Sequence, residues 1–358
     1  MRRLEAWLFA PGDPRRLAVV RIGLCGLLAV RLATGPYAEL ASQPAALFRP
    51  ISFLRLLERM PPRGLVVAVQ ALALAGAVLA AAGLWTRVAL PLAWAAALPL
   101  VAMTSSLGKV VHNDVLLLLC LVPLLPAPAG AAWSQDARRR SRRAPPDPAP
   151  AYGWPVRTAM VVVAGAYFFS GLAKLLHAGP GWVTSGNLRW VLYASSDQQP
   201  VPNPYALFVA DRPVLAHLLA ATTLAVELGF PLVLWRPRLA WLFLPAAVAL
   251  HAGIWLAMRL DYSAMAATAL LVVVDWPSVL HAPASRGQPT AGPEGFGGPQ
   301  GGPPMGQAPV DREGSGEPQG PGGFGGPQGG PPMGQAPVDR GRGGAPETTG
   351  RAGKERSR

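Results

Sequence analysis

The chain has 358 residues, of which 51% are hydrophobic and only 14% charged, and its formal net charge is +13. Soluble globular domains carry about 25% charged residues, so this composition excludes an ordinary soluble domain and points to the lipid bilayer as a partner. Beyond residue 281 eight Lys/Arg stand against seven Asp/Glu, so the positive excess belongs to the apolar part. There it fits membrane topology and anionic headgroups, and no base-stacking or recognition-helix pattern makes nucleic acid a partner.

Hydropathy predicts an all-α integral membrane protein with about eight transmembrane helices, over 16–34, 65–84, 87–106, 113–130, 155–176, 213–235, 238–258 and 261–280. Arg21 and Arg31 interrupt the first, and no small-residue cleavage site follows it cleanly, so it reads as a helix rather than a signal peptide. Between the first two spans, Ile51–Met60 alternates apolar and charged residues at helical spacing, as a helix lying in the interface does. Cys25 and Cys120 sit inside apolar runs and are expected to pack as small apolar groups.

Positive charge orients the spans. Arg2, Arg3, Arg15 and Arg16 precede the first, and Arg87 follows the second. Arg138, Arg139, Arg140, Arg142 and Arg143 follow the fourth, and Arg236 and Arg238 follow the sixth. With eight spans all of these share one side, which predicts a multi-pass protein of the cytoplasmic (plasma) membrane with both termini cytoplasmic. The polytopic domain covers residues 10–281. The remaining 282–358 form a Gly/Pro-rich tail in which the 292–312 segment recurs at 320–340, a period of about 28 residues. Two copies with few large apolar residues cannot bury a core, so the tail is expected to be disordered.

Ionisable residues inside apolar spans are costly, about 2.5–3.5 kcal/mol for a lysine at a helix centre, and so mark candidate sites. Lys174 closes the fifth span, and His112, Asn113 and Asp114 open the fourth after Lys109. Glu227 lies within the sixth and His251 within the seventh. The eight-span topology puts His112 and Lys174 on the same, outer side. A neutral lysine amine can act as a base, which an ammonium cannot. Each residue also has a structural reading. Lys174 can snorkel to the headgroups, and His112 and Asn113 can cap a helix whose dipole Asp114 complements. Glu227 can pair with Arg21 or Arg31, and His251 can be a hydrogen-bonded packing residue. Asp275, followed by Trp276 and Pro277, reads as an interface anchor. No metal is expected, because there is no HExxH, no i, i+4 histidine pair and no thiolate cluster. Phosphate-loop, nucleophile-elbow and dinucleotide motifs are absent too.

Tyr167-Phe-Phe-Ser-Gly-Leu-Ala-Lys-Leu followed by Gly181-Trp-Val-Thr-Ser-Gly resembles the central motif of HTTM-domain proteins, the membrane superfamily that includes vitamin K-dependent gamma-glutamyl carboxylase. His112 at the head of a span matches a second motif. Glu227 near Gly229-Phe, and His251, fall where similar residues recur, and the resemblance covers roughly residues 10–280. It implies that Lys174 is the base that deprotonates a quinol of vitamin K type and that His112 assists it, with Glu227, His251 and Trp182 beside the bound quinol. In the carboxylase, oxygenation of the quinol then supplies a base strong enough to ionise a glutamate γ-carbon.

Two departures speak against peptide carboxylation here. Ala173 stands where the carboxylase motif has a second lysine, and a repeat tail stands where the carboxylase carries the module for its protein substrate. Two expectations follow. One is an HTTM-type domain that binds or oxidises a lipid-soluble quinol at an outer Lys/His site. The other is a non-catalytic scaffold or transporter whose intramembrane charges pair structurally.

Overall fold

The computed structural model describes residues 2–107, 111–140 and 145–280. Lys109, Arg142, Arg143 and the 282–358 tail lie outside them. The described residues are helical, with one isolated strand-like bridge between Gly12 and Ala149. The architecture is carried by α1 (Arg2–Leu8), α2 (Pro14–Thr34), α3 (Arg63–Ala82), α4 (Thr86–Thr104), α5 (Val115–Leu121), α6 (Pro150–Ala178), α7 (Asn187–Asp197), α8 (Pro204–Ala210), α9 (Pro213–Gly229), α10 (Ala240–Met258) and α11 (Ser263–Val273).

Among the described residues five stretches are long and apolar enough to cross a membrane: α2, α3, α4, α6 and the Pro237–Met258 run that ends in α10. α8 and α9 pass the same test together but meet at 99°, as in a broken span or a re-entrant loop. Where the sequence predicts spans over 113–130 and 261–280, the helices are shorter: α5 with its 3-10 extension ends at Leu124, and α11 ends at Val273. Pro123, Pro126 and Pro128 deprive the first stretch of successive backbone donors. Extended Val274 (ψ 134°) stops the second. Likewise α9 stops at Gly229, with Pro231 ahead of a separate turn, Leu232–Trp235. The interfacial helix expected over 51–60 is reduced to a five-residue 3-10 turn, Ser52–Leu56.

Local sequence explains the ends. Asp13 caps α2 by accepting from the Arg15 amide at 2.7 Å, with Pro14 at the first helical position. α3 ends in a Schellman motif: Gly83 takes φ +70°, and the Leu84 amide reaches back to the Leu79 carbonyl. α4 borrows its cap from far along the chain, because Asp136 accepts from the amides of Trp85 and Thr86 at 2.9 and 2.8 Å. α3 and α4 pack through small residues, as membrane helices do. A Cβ on Gly76 would stand 3.0 Å from the Ala93 backbone nitrogen and 3.2 Å from the Ala89 carbonyl.

Arg21 is fully buried in this bundle, yet no carboxylate among the described residues pairs with it. Its guanidinium donates to the carbonyls of Ala129 and Trp133 at 2.7 Å each, of Ala132 at 3.4 Å and of Ala81 at 3.5 Å. Ala129, Ala132 and Trp133 belong to the non-helical segment after α5, whose buried backbone needs partners that no helix supplies. At the other end of α2, Arg31 binds Asp114 through Nε at 2.7 Å and a second nitrogen at 3.3 Å, and Asp261 at 2.6 Å. The expected pairing of Glu227 with Arg21 or Arg31 is therefore overturned: carbonyls occupy one arginine and two aspartates the other. The capping expected of His112 and Asn113 is not what the helix start shows: Asp114 stands at the N-cap of α5, its side chain makes no cap hydrogen bond, and Arg31 holds it instead. Cys25 and Cys120 are free and buried.

Candidate functional site

Lys174 stands one turn before the end of α6 and Glu227 on the last turn of α9, two helices that pack together. Nζ donates to Glu227 Oε1 at 2.7 Å and to Ser170 Oγ at 2.9 Å, and Ser170 donates to the same carboxylate oxygen at 3.0 Å. Ser170 is one turn before Lys174, so the i, i+4 spacing of α6 puts both groups on the carboxylate. Gly171 lets α9 approach: a Cβ there would meet the Glu227 Cβ at 3.0 Å. Glu227 is 8% exposed at its side chain and Lys174 21%.

One turn deeper, Tyr167 stacks on the buried ring of Phe230, with centroids 4.3 Å apart, and its hydroxyl lies 2.9 Å from His251 Nε2. Phe230 fixes the plane of Tyr167, and the hydroxyl fixes the imidazole on α10. Glu227 Oε2 and His251 Nδ1 are buried without a partner among the described residues. If Tyr167 donates to Nε2, His251 Nδ1 carries a proton to offer; in the other tautomer it accepts.

These groups converge. A cavity of about 310 Å³ is lined by His112, Tyr167, Ser170, Lys174, Glu227, His251 and Tyr262 among others. Four of the five residues singled out in the sequence thus line one space. His112 and Tyr262 face each other across it, centroids 5.4 Å apart, and Tyr262 also lies 5.8 Å from His251. Arg31 holds this wall together. It grips Asp114, two residues after His112, and Asp261, next to Tyr262, while the Asn113 amide donates to the Asp261 carbonyl at 2.6 Å. Asn113 and Asp114 therefore tie the cavity wall to α2 and the α10–α11 connection.

Trp182, the fifth residue, lies elsewhere. Its ring centroid is 5.4 Å from Nζ, within cation–π range, in a second, open cavity of about 630 Å³. That cavity shares Ser170 and Lys174 with the first and adds His177, Ser185 and Asn187. Lys174 thus stands in the wall between a half-open space and a more open one. A third cavity, about 420 Å³ and mostly apolar, borders the half-open one at Leu250 and Ile254.

Sequence reasoning missed Tyr167, Tyr262 and His177 as site residues. Tyr167 and Ser170 lie seven and four positions before Lys174, on its helical face, and that periodicity was a usable signal. Nothing local marks Tyr262. Among the described residues no group of three His, Cys, Asp or Glu is placed to hold a metal ion.

The fold and site together define a helical membrane-type protein with a polar cavity at one end of its bundle. No family model matches the chain, and neither a curated protein nor a solved structure shows detectable similarity to it.

Proposed function

We propose that this chain is a multi-pass membrane protein of the HTTM, carboxylase-like type, whose Lys174–Glu227 site takes the hydroxyl of an apolar quinol and removes its proton. The observation that carries the reading is the convergence of Lys174, Glu227, His251 and His112, from four separate stretches of chain, on one cavity that holds two buried polar atoms without partners.

The residues fit such a ligand. The cavity volume lies at the lower end of small-molecule sites, roughly 300–1,000 Å³. Leu250, Ile254 and Met265 supply apolar wall, and Glu227 Oε2 and His251 Nδ1 supply hydrogen-bonding capacity. When bound, a quinol brings an ionisable hydroxyl and, on reaction with oxygen, the driving force for a stronger base than an amine. The protein's own part is proton handling. As a neutral amine Nζ accepts a proton and becomes an ammonium, whose charge Glu227 balances at 2.7 Å. Ser170 keeps the carboxylate oxygen oriented throughout, and His251, held by Tyr167, positions the ligand.

The same reading places eight passes in the cytoplasmic membrane, with the cavity outward and both termini cytoplasmic. The positive-inside distribution of Arg15, Arg16, Arg87 and Arg138 to Arg140 supports that direction. α5 and α11, at about 1.5 Å per residue, are too short to cross a core of about 30 Å as helices alone. Non-helical backbone is tolerated at membrane depth where protein surrounds it. The Arg21 cage around the Ala129–Trp133 carbonyls provides that environment in the fourth pass.

The test is quinol-dependent oxygen uptake by purified, detergent-solubilised protein, wild type beside Lys174→Met. Uptake that disappears in a folded Lys174→Met protein supports the reading; uptake equal in the two removes Lys174 from the chemistry. One observation favours a second reading, a non-catalytic scaffold or transporter: the 2.7 Å Lys174–Glu227 bridge is itself a complete charge pair. Absence of uptake in both proteins, with Lys174→Met misfolded, selects that reading.

A further inference from the structure

Each proton that Nζ takes up becomes part of an ion pair with the Glu227 carboxylate 2.7 Å away. Repeated use of the site therefore needs an exit for the proton. In the smaller, half-open cavity Glu227 faces Nζ from α9, and His251 and His112 line the same space. The exit lies on the other side of Nζ, in the open cavity, whose titratable lining side chains are Lys174 and His177. The turn Gly181–Thr184 adds no charge there, and Arg189 on α7 is committed to the Ala210 carbonyl at 2.6 Å.

His177 is three positions after Lys174, so their Cβ atoms are about 5–6 Å apart on one face of α6. Its Nδ1 lies 2.7 Å from the Ala173 carbonyl, an acceptor only, so Nδ1 carries the hydrogen and Nε2 keeps a free lone pair. The tautomer is fixed by the helix backbone. An imidazole with a free lone pair can accept a proton at that nitrogen and pass one on.

We propose that His177 is the proton relay from Lys174 to the outer solution, an assignment that rests on the quinol-site reading. The ammonium N–H bond breaks and its proton forms a bond to His177 Nε2, directly or through one bridging water. Nζ is left as an amine and His177 as an imidazolium, which then gives a proton to water. No electrons change hands and no other reactant is needed.

The experiment uses the full chain in detergent with a short-chain naphthoquinol as the probe. Oxygen uptake is measured for wild type, His177→Ala, His177→Gln and Lys174→Met across about pH 5 to 8, with and without added imidazole. Probe binding is followed separately by tryptophan quenching. The expected result is normal binding in both His177 variants and an uptake loss of at least about tenfold. Imidazole restores His177→Ala in proportion to its free-base fraction and leaves Lys174→Met inactive. Unchanged uptake in His177→Ala, a loss that imidazole does not relieve, or binding lost with uptake would each overturn the relay while the quinol site stands. A wild type that binds the probe without oxygen uptake, or does not bind it, overturns both.

Discussion

Removing one member of the Lys174–Glu227 pair should cost far more than removing both. Lys174→Met leaves a carboxylate that is 8% exposed with one donor, the Ser170 hydroxyl, and an Oε2 that already lacks a partner. A buried charge stranded in this way costs about 3–5 kcal/mol. Glu227→Leu strands the ammonium instead. Lys174 is 21% exposed, keeps Ser170 Oγ at 2.9 Å and the Trp182 ring, and opens onto the outer cavity, so the expected loss is smaller, about 1–3 kcal/mol. The double variant Lys174→Met/Glu227→Leu replaces the pair by apolar side chains of similar length. It should recover most of the loss, costing about 1 kcal/mol, so that the coupling energy is about 3 kcal/mol or more. The assay is reversible unfolding in mixed micelles for all four proteins. Single costs that add to within about 0.5 kcal/mol would refute the coupling and the geometry behind it. The double variant also separates the two functional readings, because quinol turnover present in the wild type and lost in a stable double variant is expected of a catalytic pair and not of a merely structural one.

Arg31→Met should cost about 3 kcal/mol or more, since it leaves Asp114, only 12% exposed, without its bidentate partner. Arg31→Lys should retain one of the two carboxylate contacts and fall between; equal losses in both variants would show that guanidinium geometry is immaterial. Asp136→Ala should destabilise by about 0.5–2 kcal/mol through loss of the α4 cap, read in the same unfolding assay. Burial pushes the Asp136 carboxyl up, but the Thr86 amide, followed by the Thr86 hydroxyl, the Trp85 amide and Arg140, outweighs this and holds it below its ordinary value. With the folded-state value depressed, this stabilisation is fully present above the unfolded value of about 3.9 and is lost as pH falls through the folded one. The wild type should therefore lose stability more steeply than Asp136→Asn below about pH 4, and parallel acid limbs would contradict the cap. Gly76→Val should overpack the α3–α4 contact by about 1–3 kcal/mol, because the obstructing atoms belong to the Ala93 and Ala89 backbones; an unchanged midpoint would show that the helices can part.

The polar residues were conspicuous in the sequence for a physical reason: a charge in an apolar run is expensive, so Lys174, Glu227, His251 and His112 stood out individually. Their partners were not legible. Lys174 and Glu227 are 53 positions apart, and helical periodicity does not state which helices touch. Glu227 was equally open to Arg21 or Arg31 until the fold gave the first four carbonyls and the second two aspartates. Tyr262 looks ordinary in an apolar chain and only packing gives it neighbours, whereas Tyr167 and Ser170 could be read from their helical spacing to Lys174. Hydropathy also ran on through Pro123, Pro126 and Pro128, where average apolarity is retained but backbone donors are missing. Three cations of the bundle differ in a way that the sequence could not display. Arg21 is held by backbone that needs it, and Arg31 by two carboxylates that it joins. Lys174 is held by one carboxylate whose second oxygen is left without a partner, beside a histidine nitrogen in the same condition and next to open space. A fold that buries polar atoms unpaired gives up stability at that place. The Lys174 cavity is where such atoms, a proton-carrying pair and access to solvent coincide, and that coincidence is the physical ground for placing the function there.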